Sequence, residues 1–264
     1  MQRNEGIAAS SLRILGAWMA ARSRRTRFDT THWSIVLAAG DTSSPEAAEA
    51  LRRLCEMYWY PLYAFLRTQG RSHADAEDLT QAFFARLLEK KSLRLADRDR
   101  GRFRSFLITS LKNFAANEYD RERAEKRGGH QRTISLEIYT AEGRFQLDPP
   151  TTETPDVVFE RTWALTLLDK AMQRLRQHTD QRGELSCFDE LKPYLTAEEP
   201  LPSYAETGRV LGMSEGAVRV AVSRLRHRLG TFVRDEIAQT VESPDDVDAE
   251  LRHLLSVLRR RSSR

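Results

Sequence analysis

The chain has 264 residues, 40% of them hydrophobic and 30% charged, enough for two modest cores and too polar for one extensive buried sheet. Net charge is only +4, yet 42 lysines and arginines and a pI near 9.2 gather basicity into local clusters, which points to an acidic partner rather than a uniformly cationic protein. Cys55 and Cys187 lie far apart with no Cys/His ligand spacing, so neither a zinc site nor a disulfide framework is written here, and a cytoplasmic location fits.

The most apolar N-terminal run, Ile7 to Ala21, is interrupted by Arg13 and followed by Arg22, Arg24, Arg25 and Arg27. A membrane-crossing helix needs about 20 apolar residues free of such charges, so residues 1–30 are expected to form a loosely ordered extension without membrane insertion. Helices are then predicted over Trp33 to Ala39 and over Pro45 to Thr68. In the second, Leu51, Leu54, Tyr58, Leu62, Phe65 and Leu66 recur at helical spacing and Pro61 predicts a bend. A turn at Gly70 ends it.

Ala74 to Glu89, ADAEDLTQAFFARLLE, opens acidic and gives way to Lys90 and Lys91, the polarity that a helix dipole favours. Leu79, Phe83, Phe84, Leu87 and Leu88 supply its buried stripe. Gly101 to Arg127 reads as one long helix lined by Phe103, Leu107, Leu111 and Phe114, with Gly128 and Gly129 as its stop. Its other side carries Arg102, Thr109, Asn113, Asn117 and Asp120, with Arg121, Arg123, Lys126 and Arg127 gathered at the end. Amides on a basic helix suit unstacked bases, although, taken alone, the pattern fits a solvated amphipathic helix better.

His130 to Asp156 loses periodicity: Thr133 to Tyr139 is weakly strand-like, and Pro149, Pro150 and Pro155 act as breakers. Helical pattern resumes at Val157, a further helix is expected over Ser186 to Leu195, and two more flank Gly212. A last helix after Ser243 and Pro244 carries Val247, Leu251, Leu254, Leu255 and Leu258, a stripe read as packing. The chain is thus all-α: two small helical domains, 31–128 and 158–234, joined by a flexible linker, 129–157, with a helical extension over 235–264.

Ser203 to Leu211, then Gly212, then Ser214 to Leu229 is a helix-turn-helix, with Gly212 suited to the left-handed turn and Ser214 to the cap. SEGAVRVAVSRLRHRL holds four arginines and one histidine. Val218, Ala221, Val222, Leu225 and Leu229 fall on a packing side, while Arg219, Val220, Ser223, Arg224, Arg226 and His227 point outward. Glu215 is the only acid between Leu211 and Val233, so the ion pairing of an ordinary solvated face is nearly absent. Val220, central on that face, would suit a thymine methyl.

Asp75, Glu77 and Asp78 could be read as carboxylates for acid/base or metal chemistry, but a helix start favours carboxylates without that. No glycine-rich phosphate loop, metal-binding histidine pair or nucleophile motif accompanies them. A non-enzymatic protein without cofactor or metal is expected.

Taken in order, DAEDLTQAFFARLL, GRFRSFLITSLKNFAANEYDRER and SYAETGRVLGMSEGAVRVAVSRLRHRL resemble the extracytoplasmic-function group of bacterial RNA polymerase sigma factors, over roughly residues 31–234. The resemblance implies that Asp75, Asp78, Gln81 and Phe84 dock on the clamp of the polymerase largest subunit. It places Asn113, Asn117, Asp120 and Arg121 near an unwound minus-ten strand. Arg219, Val220, Ser223, Arg224, Arg226 and His227 would lie near the minus-thirty-five duplex. Core RNA polymerase and promoter DNA are the implied partners, with an anti-sigma protein a further candidate. Thr207 and Gly208 stand where that group usually has isoleucine and alanine, and a mid-helix glycine costs about 1 kcal/mol relative to alanine, which predicts a weakened first helix. The competing function is a polymerase-independent helix-turn-helix regulator.

Overall fold

The computed structural model describes residues 45–89, 103–125, 145, 153–196, 201–241 and 243–259. The expected helix Trp33 to Ala39, the 1–30 extension and the segment Thr133 to Tyr139 lie outside them. Among the described residues every regular element is a helix. They divide into two compact units, one running to Trp163, the other covering Ala164 to Gln239 and resuming at Ser243.

In the first unit α1 spans Pro45–Thr68, with Pro45 at its first position and Pro61 inside it. A proline at the first helical position loses no hydrogen bond, because that N–H has no intrahelical partner. Leu54, Tyr58, Leu62, Phe65 and Leu66 are buried, as their spacing predicts. The chain turns at Gly70, whose φ of +86° is open to glycine at little cost. It then enters α2, His73–Glu89, where Ser72 Oγ accepts from the Asp75 N–H at 3.1 Å.

The third helix, α3, covers Phe103–Glu125. Phe103, Leu107, Leu111 and Phe114 are buried along it, opposite Phe83, Phe84 and Leu87 of α2. Ring contacts fix the packing: Phe83 lies 5.8 Å from Phe114, and Tyr58 meets Phe103 edge-on at 5.4 Å.

Helix α4 spans Pro155–Asp180. Pro155, which looks like a linker breaker, is its first residue, where the missing N–H is harmless. The first turns of α4 belong to the first unit through Arg104, which is buried. The Arg104 Nε donates to both oxygens of Glu160 at 2.9 and 2.8 Å, and its guanidinium lies 4.6 Å from the centre of the Trp163 ring. A cation taken this far from water requires such partners. Nearby, Lys112 pairs with Asp156 at 2.7 Å.

In the second unit, the rest of α4 ends in a turn at Gly183 with φ of +69°. The single helix expected over Ser186 to Leu195 is instead two short ones, α5 (Leu185–Leu191) and α6 (Pro193–Thr196). Pro193 is the reason: it has no N–H to continue the ladder, and the last bond of α5 is Lys192 N–H to Phe188 O at 2.8 Å. Then come α7 (Tyr204–Leu211), α8 (Glu215–Thr240), a 3-10 turn at Pro244–Asp246 and α9 (Val247–Arg259). Helix α8 runs well past Leu229, since Val233 and Ile237 continue its buried stripe. The α9 residues Val247, Leu251, Leu254, Leu255 and Leu258 are all buried, so this stripe serves packing.

On the other side of the unit Arg174 of α4 reaches Glu236 at 2.7 Å and Asp235 at 3.4 Å, and covers the Phe232 ring at 4.7 Å. Burial pushes the Asp235 carboxyl above its ordinary range, and Arg174 pulls against that.

Replacing Arg104 with alanine is expected to destabilise the first unit by about 3 kcal/mol, the scale for breaking a buried pair. Denaturant unfolding followed by circular dichroism measures it.

Candidate nucleic-acid interface

Helix α7 opens with a reciprocal cap. Glu206 N–H donates to Ser203 Oγ at 3.2 Å, and Ser203 N–H donates to Glu206 Oε2 at 2.8 Å. The Ser203 hydroxyl, donating to Glu206 Oε2 at 2.7 Å, and then the Ser203 N–H hold the Glu206 carboxyl below its ordinary value. The signature S-x-x-E was present in the sequence as Ser203 to Glu206. The helix closes at Gly212, in the left-handed region at φ 65° and ψ 29°, and the Met213 N–H reaches back to Gly208 O at 2.8 Å. Ser214 Oγ then accepts from the Ala217 N–H at 3.2 Å and starts α8.

The glycine at 208 has a positive role. A Cβ built there would lie 2.6 Å from the Met213 carbonyl oxygen and 3.6 Å from Val218. Only hydrogen fits between the helix and its own returning turn, so the expectation that Gly208 merely weakens α7 is corrected. Thr207 beside it is buried, its Oγ1 2.6 Å from the Tyr194 hydroxyl. That hydroxyl also lies 3.0 Å from Pro202 O and 3.2 Å from Ser203 O. Tyr194, Leu191, Val218 and Val222 form one buried cluster, with Leu211, Met213, Ala221 and Leu225 against it. Nothing in local spacing singles out Tyr194, because its partners come from other elements.

At about 100° per residue, the outward stripe of α8 is Gly216, Val220, Ser223 and His227, all exposed. Val220 is 50% exposed in its middle. The arginines flank this stripe. On one side Arg219 donates to Glu215 Oε1 from Nε at 3.2 Å and lies 4.9 Å over the Tyr204 ring. On the same side Arg226 is half-buried and donates from Nη2 to Tyr194 O at 3.0 Å. The outward orientation expected for Arg226 is therefore corrected: its guanidinium turns back to brace α6. On the other side Arg228 Nη1 is 2.6 Å from His178 Nε2, and Arg224 is exposed with no acidic partner among the described residues.

In the first unit Asp75, Asp78 and Gln81 are exposed along α2. Phe84 is not: it is buried against Phe83, so its expected place on a docking face gives way to a place in the core. The three carboxylates do not converge. Asp75 accepts from Ser72 Oγ at 2.6 Å, Asp78 faces solvent, and Glu77 is buried with Gln81 Nε2 donating to it at 2.9 Å. Burial raises the Glu77 carboxyl. On α3, Asn113 and Asn117 are exposed with Thr109 and Ala116. Asp120 and Arg121 fall within α3, but their side chains lie outside the described residues.

Residues 54–125 match the family profile described as Sigma-70 region 2, a stretch that ends with the last residue of α3. The ECF RNA polymerase sigma factor BldN of Streptomyces coelicolor is 28% identical over 192 residues. The alignment covers 72% of this chain and 62% of that relative, so the chain spans less than two thirds of the relative's length. No solved structure matches. Among the described residues no group of His, Cys, Asp and Glu is placed to hold a metal. None of the described helices is long and apolar enough to cross a membrane.

Gly208→Ala is expected to destabilise the second unit by about 1–3 kcal/mol through overpacking, despite alanine's better helix propensity. A thermal melt of the full chain, with helix content checked at low temperature, reads this directly.

Proposed function

We propose that the protein is a transcription initiation factor that binds core RNA polymerase and directs it to promoters. One observation carries the reading: the Sigma-70 region 2 match over α1 to α3 stands on the same chain as a capped helix pair whose second member presents arginines with almost no acid among them.

In this reading the exposed Asp75, Asp78 and Gln81 of α2 meet the polymerase clamp. The dipole favours carboxylates in the first turn of the helix, and once there their charge complements a basic partner. Phe84 acts from beneath, by holding α2 in place. The neutral, small-residue strip of α3 around Asn113 and Asn117, with Asp120 and Arg121 beyond it, receives unstacked bases of the minus-ten element. Amides offer both donor and acceptor to exposed base edges. Base capture from a duplex costs a few kcal/mol of unstacking, and polymerase binding offsets it.

Helices α7 and α8 act as a helix-turn-helix on the minus-thirty-five duplex. The central stripe is low: Gly216, Val220 and Ser223 let the helix axis approach the groove floor, where Val220 meets a thymine methyl. Arg219 and Arg224 sit on opposite flanks and reach the two phosphate walls. His227 extends the same stripe, while Arg226 contributes by bracing α8.

The test is reconstitution: the purified chain added to core polymerase yields promoter-specific transcripts from templates of its own genome. Tight, sequence-specific duplex binding without core polymerase, and no such transcripts, would move the protein to the independent regulators. Arg224→Ala is expected to weaken binding uniformly across sequences and to lower the slope of log affinity against log salt by about one. Asp78→Arg is expected to reduce affinity for core polymerase by at least about tenfold without shifting the melting temperature; pull-down and melting curves read the two effects.

A further inference from the structure

We infer that Tyr204 and Tyr194 are positioning residues for DNA contact, holding the Arg219 flank of α8 in its binding geometry before any duplex arrives. The inference rests on the duplex-binding reading of α8.

Three connected observations carry it. The Arg219 guanidinium lies over the Tyr204 ring at 4.9 Å. The Tyr204 ring in turn stacks on Tyr194 with centroids 4.8 Å apart and planes within 16°. Tyr194 is itself immobilised: its ring is buried, its hydroxyl is bonded to Thr207 Oγ1, Pro202 O and Ser203 O, and its carbonyl accepts from Arg226. The result is a stack of two rings and a guanidinium that starts in the core and ends at an exposed cation on the first turns of α8.

The physical consequence is entropic. A free arginine must freeze its rotamers when it meets phosphate or a base edge, at a cost in affinity. Arg219 starts with less of that freedom, since its guanidinium lies over a half-buried ring that is itself stacked on Tyr194. Glu215 steadies it from the other side at 3.2 Å. Arg224 on the opposite flank has no such support among the described residues, so the two flanks differ: one preset, one adaptable. A planar guanidinium can lie flat on a ring, whereas an ammonium meets it only as a point charge on a flexible stem.

Duplex affinity of the full chain is measured on a random-sequence duplex of about 30 base pairs at low salt, where phosphate contacts dominate. Tyr204→Phe is expected to keep wild-type affinity. Tyr204→Leu is expected to lose about two- to fivefold, the range of an exposed cation–π contact. Arg219→Lys, a surface change with charge preserved, is expected to lose about the same two- to fivefold as Tyr204→Leu, and less than Arg219→Ala. The double variant Tyr204→Leu/Arg219→Ala is expected to bind no more weakly than Arg219→Ala alone, because both changes remove the same arrangement.

If Arg219→Ala weakens binding but Arg219→Lys matches wild type, or if the two changes in the double variant add in full, the positioning role is overturned while the duplex reading stands. If Arg219→Ala binds as wild type does, the positioning role falls, and if Arg224→Ala does so too, the duplex reading falls with it. Should Tyr204→Leu lower the melting temperature of the chain, the lysine variant alone still decides.

Discussion

The second unit depends on how closely a helix can be approached by its own chain. Where α7 ends, the backbone doubles back so tightly that the Met213 carbonyl occupies the space of a side chain at position 208. From that approach follow the left-handed turn at Gly212, the short path to Ser214 and the direction in which α8 departs. A larger residue would force the turn at Met213 to give way. Tyr194 secures the same geometry from the core side, since its hydroxyl bridges the entry to α7 and the buried Thr207. Backbone closeness and one buried phenol together set the angle of the basic helix.

Arginine has three different uses in this chain. Arg104 is an internal cation, placed on an indole and paired with a carboxylate. Arg174 and Arg226 are braces between elements, bonded to carboxylates or to a backbone carbonyl. Arg219 and Arg224 remain at the surface of α8. Net charge and pI add these together, although a buried or bracing arginine such as Arg104 or Arg226 is not free for an acidic partner. The local density of arginine therefore overstates the binding surface, and tertiary contacts divide it.

Much of the helical architecture was legible because packing stripes repeat along a helix. Leu54 to Leu66, Leu79 to Leu87 and Val247 to Leu258 each declare a buried side through several residues at once, and each side is buried. Gly212 was legible because few residues other than glycine enter the left-handed region. What escaped depended on distant partners or on the double meaning of proline. Pro155 opens a helix although it follows Pro149 and Pro150, and Pro193 divides one although Phe188, Leu191 and Leu195 keep the periodicity on either side. Helical geometry put Arg226 outside, yet a side chain of that length at the edge of a face can fold back to a carbonyl thirty-two residues away. At the candidate site the exposed Val220, Asp78 and Asn117 could be read from spacing, while Tyr194 could not, because its partners lie in the turn and helix that follow it.

The chain's two cysteines fall one to each unit: Cys55 in α1 and Cys187 in α5, both half-buried. Burial and the nearby Glu184 push the Cys187 thiol up, and a thiol that resists ionisation reacts slowly with electrophiles. Nature has thus supplied a pair of spectroscopic handles, one on each helical body, with the Cys187 handle reporting by its slow labelling on whether the packing around α5 is intact. Donor and acceptor dyes on the unaltered polypeptide can follow the spacing of its two halves as core polymerase and DNA are added in turn.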